Sequence, residues 1–240
     1  MSLTGADNWL ATPQGRYVMT WEQAKIDAIV ADLFGYNALQ LGLPRYRLLA
    51  QNRIPLRQVV GQQGLVDVSC DLHELPFAAN SIDLIVMPHV LESHADPHQI
   101  LREVERVLIP DGHLLVTGFN PLSLWGLRRR LPRRLDDSPL QGNYISMLRL
   151  KDWLKLLGFE VDRGSFGCYA PPFRKKRSLK RWSFMDAAGQ RWWNFAGGVY
   201  LLHAIKRVHG LRLIRPAWEP AAASSKALSR VTQKEIDSHD

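Results

Sequence analysis

Cysteine is nearly absent from this chain, which has only Cys70 and Cys168 in 240 residues, far apart and in strand-like apolar stretches. Two isolated thiols cannot build a disulfide framework or a tetrahedral metal site, so buried free thiols are expected. No apolar run approaches the roughly 20 residues needed to span a bilayer. The opening MSLTGADNWL has neither a basic leader nor an apolar signal core, so export is not expected and a cytoplasmic location is. Acids are scarce beside bases, 23 against 31, for a net charge of +8. That imbalance favours a polyanionic partner. The 46% hydrophobic fraction excludes disorder throughout.

The basic excess sits in two runs, GLRRRLPRR at 126–134 and RKKRSLKRW at 174–182, while residues 37–120 are closer to balance. Between these extremes strands alternate with helices. TWEQAKIDAIVADLF (20–34) reads as an amphipathic helix with a Thr20–Gln23 capping box and Gly35 as its stop. A strand over 37–42, a short helix near 44–52, and strands ending at Gly61 and Asp71 follow. SIDLIVMP is a strand covered on both faces. Asp96 caps a helix with Pro97 at its first position and Gln99 closing the box, and Ile100, Leu101, Val104, Val107 and Leu108 form its apolar stripe. PDG (110–112) predicts a turn before the buried strand HLLVTGF. A rim helix near 120–131, a helix over 146–157, a strand near 159–169 and a last strand in GVYLLHAIKR complete the pattern. This alternation predicts a doubly wound, mostly parallel sheet. Three parts are expected: a helical segment 1–35, a domain 36–208 with an insertion near 170–198, and a mobile tail 209–240.

Glycine is sparse where such a sheet would hold a nucleotide. The turn after NALQL has Gly42 and then Pro44, where phosphate- or nucleotide-binding turns carry two or three glycines. Asp71, at a strand end and followed by Leu72, can accept hydrogen bonds from a heterocycle's amino group. It can equally cap the turn that follows. His89, Glu92 and His94, beyond the fourth strand, are candidate bases, or solvated residues of a rim loop. A metal site from His89, His94 and His98 is disfavoured by its spacing, and none is predicted.

The stretch CDLHELPFAANSIDLIVMPHVLE…DPHQILREVERVLIPDGHLLVTGFNP resembles, over residues 70–120, the central half of class I S-adenosylmethionine-dependent methyltransferases of the type 11 group. GFNPLSLWGLRR resembles an uncharacterised bacterial branch of that group. The resemblance implies a Rossmann-like, mostly parallel seven-stranded sheet with an antiparallel last strand, and S-adenosyl-L-methionine as cofactor. It implies that Asp71 holds the adenine with Leu72 packed on the ring, that Pro88, His89 and Val90 line the sulfonium end, and that Gly42 lets the backbone approach the amino-acid end. The family's acid and alternating glycines fall on Gln40, Gly42, Pro44 and Tyr46, of which only Gly42 matches. The family's ribose-binding acid falls near Gly61 to Gln63, where Gln62 and Gln63 offer only neutral groups. Summed over these replacements, cofactor affinity is expected to fall by roughly two to three orders of magnitude.

Three functions therefore compete: a methyltransferase of unknown acceptor with a weakened cofactor loop, a catalytically inactive methyltransferase-like binding or scaffold protein, and a nucleic-acid-binding protein. The basic, aromatic segment PPFRKKRSLKRWSFMDAAGQRWWNFAGG bears on the choice. It reads either as a lid helix that buries Trp192 and Phe195, or as a rim that docks an anionic partner, RNA or acidic lipid, together with Arg128, Arg129 and Arg130. Arg174, Lys175, Lys176 and Arg177 would carry that contact.

Overall fold

Consecutive apolar residues in the central strands serve two different cores. In the computed structural model, which describes residues 9–130, 142–172, 177, 181–182 and 184–208 (side chains of 129 and 130 excepted), Leu39, Leu41, Ile85, Met87, Leu114 and Val116 point to one face of the sheet. Ala38, Leu84, Val86 and Leu115 point to the other. Strict alternation with both faces covered explains the unbroken apolar runs.

The elements are α1 (Pro13–Val30), β1 (Asn37–Leu41), β2 (Leu56–Gly61), β3 (Val68–Ser69), β4 (Ile82–Pro88), α2 (Val90–Ser93), α3 (Pro97–Val107), β5 (Leu108–Phe119), α4 (Leu124–Arg130), α5 (Met147–Leu156), β6 (Phe159–Gly167), α6 (Phe184–Trp192) and β7 (Val199–Lys206). The seven strands lie in the order β3-β2-β1-β4-β5-β7-β6. β1 to β5 are parallel, and β7 runs antiparallel between β5 and β6. The α/β, doubly wound sheet with an antiparallel last strand is as the sequence implies. The described residues all belong to one unit, Met1–Val208. The expected tail 209–240 and Arg174, Lys175 and Lys176 lie outside the described residues.

Helix α3 packs Ile100, Leu101, Val104 and Val107 on one face of the sheet, with Leu150 and Leu154 of α5 beside it. Asp96 caps α3 by accepting from His98 N and Gln99 N, both at 3.1 Å. The reciprocal half of the capping box does not form, because the Gln99 amide reaches His73 O instead, at 3.5 Å. Arg106 shows why the acid and base of this helix matter to the fold. Its guanidinium donates to Leu75 O (2.8 Å) and Phe77 O (2.9 Å) while paired with Glu103, whose carboxylate accepts from Leu75 N at 3.0 Å. The pair thus pins the loop between β3 and β4. Beside it, Arg106 holds the Glu103 carboxyl below its usual range.

Four expectations need correction. Helix α1 begins at Pro13 rather than Thr20, because Thr12 accepts from Gly15 N (3.2 Å) and a proline follows it, a stronger start than Thr20–Gln23. Thr20 instead donates to Arg16 O within the helix, at 2.7 Å. The helix near 44–52 is a series of turns, since the carbonyls of Gly42, Leu43 and Tyr46 are taken by the Gln40 side chain. The PDG turn lies inside β5 as an irregularity: Ile82 pairs with Leu108, but Leu84 pairs with His113, with Asp111 at φ 60° between them. The strand expected to end at Asp71 is reduced to Val68–Ser69.

Candidate active site at the carboxyl edge of the sheet

The turn after β1 is closed upon itself by Gln40. Its buried Nε2 donates to Gly42 O (3.0 Å), Leu43 O (3.1 Å) and Tyr46 O (2.8 Å), while Oε1 accepts from Leu48 N at 2.9 Å. Only an amide can do this, because three carbonyls need a donor where a carboxylate has none. Gly42 adopts φ +79°, and a Cβ there would stand 3.2 Å from Val90 Cγ2. Gly42, Leu43 and Pro44 are all buried, and Tyr46 donates its hydroxyl to Leu10 O at 3.2 Å. Pro44 packs on the next turn, where a Cβ on Gly64 would come within 2.7 Å of its Cγ. Gln40 therefore faces its own loop rather than a ligand.

Beyond β2 and β3 the edge is open. Gln62, Gln63 and Asp71 are exposed. Asp71 Oδ1 accepts from His73 N (2.9 Å) and lies 2.7 Å from the His73 ring, and these contacts hold its carboxyl below the usual value. Both use Oδ1, so Oδ2 stays available. Leu72 does not wall this site, because it is 1% exposed and belongs to the core under α3.

At the end of β4 the polar groups are paired with one another. His89 is buried at φ 53°, with Nε2 2.8 Å from Glu22 of α1 and Nδ1 3.0 Å from Glu92 of α2. The Glu22 contact is a close ion pair without hydrogen-bond geometry, so Glu22 Oε2 and its companion oxygen remain without a hydrogen-bond donor. The His89 ring stacks on Phe119 at 4.4 Å, and Glu92 accepts from Phe119 N. Burial alone would lower the imidazole pKa, but the two carboxylates override it and raise it to about 10. Glu92 is itself pushed up by burial. Pro88 and Val90 are buried beside them. His89 is thus an imidazolium clamped between two acids, which removes both it and Glu92 as free bases. Thr117 Oγ1 is a further buried hydroxyl, with no hydrogen-bond partner among the described residues.

His94 is different. Its Nδ1 lies 2.9 Å from Val90 O, and a carbonyl can only accept, so Nε2 carries the ring's free lone pair in the neutral form. It lines a cavity of about 570 Å³ whose other walls include Leu91, Pro121, Tyr144, Arg149 and Trp153. Arg149 lies over the Trp153 ring at 5.1 Å, and His98 packs on the same ring at 3.9 Å. Among the described residues, no carboxylate lines the cavity. Sequence reasoning missed Arg149, Trp153 and Glu22. The first two share a helix face at i and i+4, a legible signal, whereas nothing local marks Glu22 as the partner of His89.

Residues 43–116 match the family described as a methyltransferase domain. The uncharacterised protein YafS of Escherichia coli (strain K12) is 35% identical over 166 residues, 68% of this chain and 69% of that protein. The ubiquinone/menaquinone biosynthesis C-methyltransferase UbiE of Cellvibrio japonicus (strain Ueda107) is 36% identical over 92 residues, 38% of this chain and 32% of that protein. This chain thus spans about a third of that enzyme. In fold, it is similar to a chain of the complex between the Haloferax volcanii Trm112 methyltransferase activator and a putative methyltransferase, at TM-score 0.60 and 16% identity, covering 88% of this chain and 99% of that one. The chain belongs to the class I S-adenosylmethionine-dependent methyltransferases.

The residues present fit that family's cofactor unevenly. In a methyltransferase of this fold, the exposed Asp71, Gln62 and Gln63 suit the adenosine half. The amino-acid half meets a buried Gly42–Pro44 turn, and the buried acids Glu22 and Glu92 are already paired with His89.

Proposed function

We propose that this methyltransferase anchors S-adenosylmethionine chiefly through the adenosine, and transfers methyl to an acceptor held in the cavity beside Trp153. The observation that carries the reading is that cavity's position: Leu91 and His94 follow β4 and Pro121 follows β5, the edge where open parallel sheets bind ligands. S-adenosylmethionine supplies a methyl group that its sulfonium has already made electrophilic. The chain's own part is then positioning and exclusion of water. Asp71 accepts from the adenine amino group and Gln62 or Gln63 from the ribose. Arg149, His98 and Trp153 suit a planar, anionic acceptor through charge and ring stacking. His94 Nε2 takes a proton where the acceptor must lose one.

The buried Gly42–Pro44 turn favours a second reading, a methyltransferase-like scaffold that no longer binds the cofactor. The two separate in one titration calorimetry experiment. S-adenosylhomocysteine binding that is weak but measurable, and lost in Asp71→Ala, supports the enzyme. No heat at millimolar ligand, with no rise in melting temperature, promotes the scaffold.

A further inference from the structure

Two groups of exposed apolar side chains meet on the domain. Leu122, Leu124 and Leu127 are 67%, 45% and 56% exposed, and Trp192, Trp193 and Phe195 are 69%, 52% and 65% exposed. The two groups come from separate segments joined by Asn120. Its amide donates to Phe195 O (2.7 Å) and Gly197 O (2.9 Å), and its oxygen accepts from Leu122 N at 3.0 Å.

Each segment is anchored so that its apolar residues must face out. In α4, Trp125 is the inward residue, its Nε1 donating to Ala170 O at 2.9 Å, and Arg128 donates to Pro172 O at 2.8 Å. In α6, Asp186 accepts from Tyr17 OH (2.5 Å) and Tyr169 N (2.9 Å), and Gly189 packs on the Tyr169 ring. Trp192 ends this anchored helix and Trp193 and Phe195 follow it, all three without turning inward, which excludes the lid that would bury Trp192 and Phe195.

Large apolar patches on monomeric domains mark surfaces that meet a partner. Charge selects the partner. The flanking sequence runs GLRRRLPRR and RKKRSLKR contain eleven bases and no acid. Arg128 and Arg177 are exposed at their described positions. Tryptophans and leucines beside a basic rim match the boundary of an anionic bilayer, where rings settle at the headgroups and aliphatic chains enter the acyl layer. RNA suits the surface less well, since bases stack on rings and guanidinium planes, and the three leucines offer neither.

We propose that the α4 and Trp192–Phe195 surface docks this protein on anionic lipid membranes, with the exposed Arg128 and Arg177 supplying headgroup attraction. Pro121 and Gly126 of the same segment line the 570 Å³ cavity. On the methyltransferase reading, the cavity therefore opens beside the lipid, and its acceptor is a lipid-borne molecule. The docking does not depend on that reading.

The test is cosedimentation of the full chain with vesicles of phosphatidylglycerol and phosphatidylethanolamine, with phosphatidylcholine vesicles and single-stranded RNA as comparisons. The parent is expected to bind the anionic vesicles, with a blue shift of tryptophan emission, and to bind the neutral ones far less. A Trp192→Ser, Trp193→Ser, Phe195→Ser variant, and a second with Leu122, Leu124 and Leu127 changed to Ser, should each partition about tenfold or more weaker. These side chains are exposed, so circular dichroism should match the parent. If a variant fails to fold, the parent's emission shift alone decides. A parent that stays in the supernatant overturns the proposal. So do apolar variants that bind as tightly as the parent, or RNA binding that outcompetes the vesicles. The calorimetric result with S-adenosylhomocysteine is independent of all three.

Discussion

Restoring the family's acid with Gln40→Glu should damage this protein rather than repair it. The carboxamide Nε2 serves three carbonyls, those of Gly42, Leu43 and Tyr46, in a position 1% exposed. The substitution leaves them without that donor and sets a carboxylate oxygen among them. The amide nitrogen has two hydrogens for these three contacts, so about two net hydrogen bonds at about 1 kcal/mol each are lost, roughly 2 kcal/mol before any penalty for the buried charge. In a domain of this size that lowers the melting temperature by about 4–8 °C. Desolvation and the surrounding carbonyls raise the introduced carboxyl above its unfolded value. The charge penalty is therefore present above a pH of about 4.3 and relieved below it. Differential scanning fluorimetry at pH 7 and pH 4, beside the parent, measures both effects. A variant that melts with the parent, or that binds S-adenosylhomocysteine more tightly, would refute the reasoning, because the loop would then have opened to receive the acid.

The remaining predictions concern the same edge. Because the Glu22 and Glu92 charges outweigh burial and raise His89 to about 10, the stabilisation it gives is complete below pH 6.5 and lost as pH rises through about 10. Urea unfolding across that window should show falling stability, and a flat profile would mean that His89 is neutral at pH 7. Pro44→Gly with Tyr46→Gly removes the contact on Gly64 and the bond to Leu10, and should cost about 1 kcal/mol apiece. It should also tighten S-adenosylhomocysteine binding in calorimetry, and unchanged affinity in a folded variant would locate the obstruction elsewhere. Asp71→Ala should abolish that binding with little change in melting temperature, since the side chain is exposed; retained binding would take the adenine away from it.

Much of the fold was legible because its signals are local. Asp96 and Pro97 announce α3 in adjacent residues, and the β4 and β5 runs report burial on both faces. The start of α1 was misread because an internal Thr–Gln pair looked like the capping signal that Thr12 and Pro13 supply. The site was harder to read. Asp71 lies on the open edge, as expected, but it also caps its own turn. Leu72 follows it in sequence yet faces the core, because it lies in the turn that Asp71 closes rather than continuing a strand. The meaning of Gln40 depends on where four backbone groups converge, and that of His89 on a carboxylate brought from another element. Neither can be found by scanning for residue types.

Helix α1 has one more consequence. Val18, Ile26 and Val30 are fully buried against the sheet, Trp21 lies so close to Gly167 that a Cβ there would overlap its indole, and Glu22 is half of a charge balance completed by His89. The sheet and its first helix are therefore indivisible. A chain shortened to begin at residue 36 would leave His89 with one of its two carboxylates and an uncovered apolar face, not a smaller version of the fold. In a graft or a chimera, the portable piece of this protein begins at the N-terminal helix, and the familiar methyltransferase motifs mark only its middle.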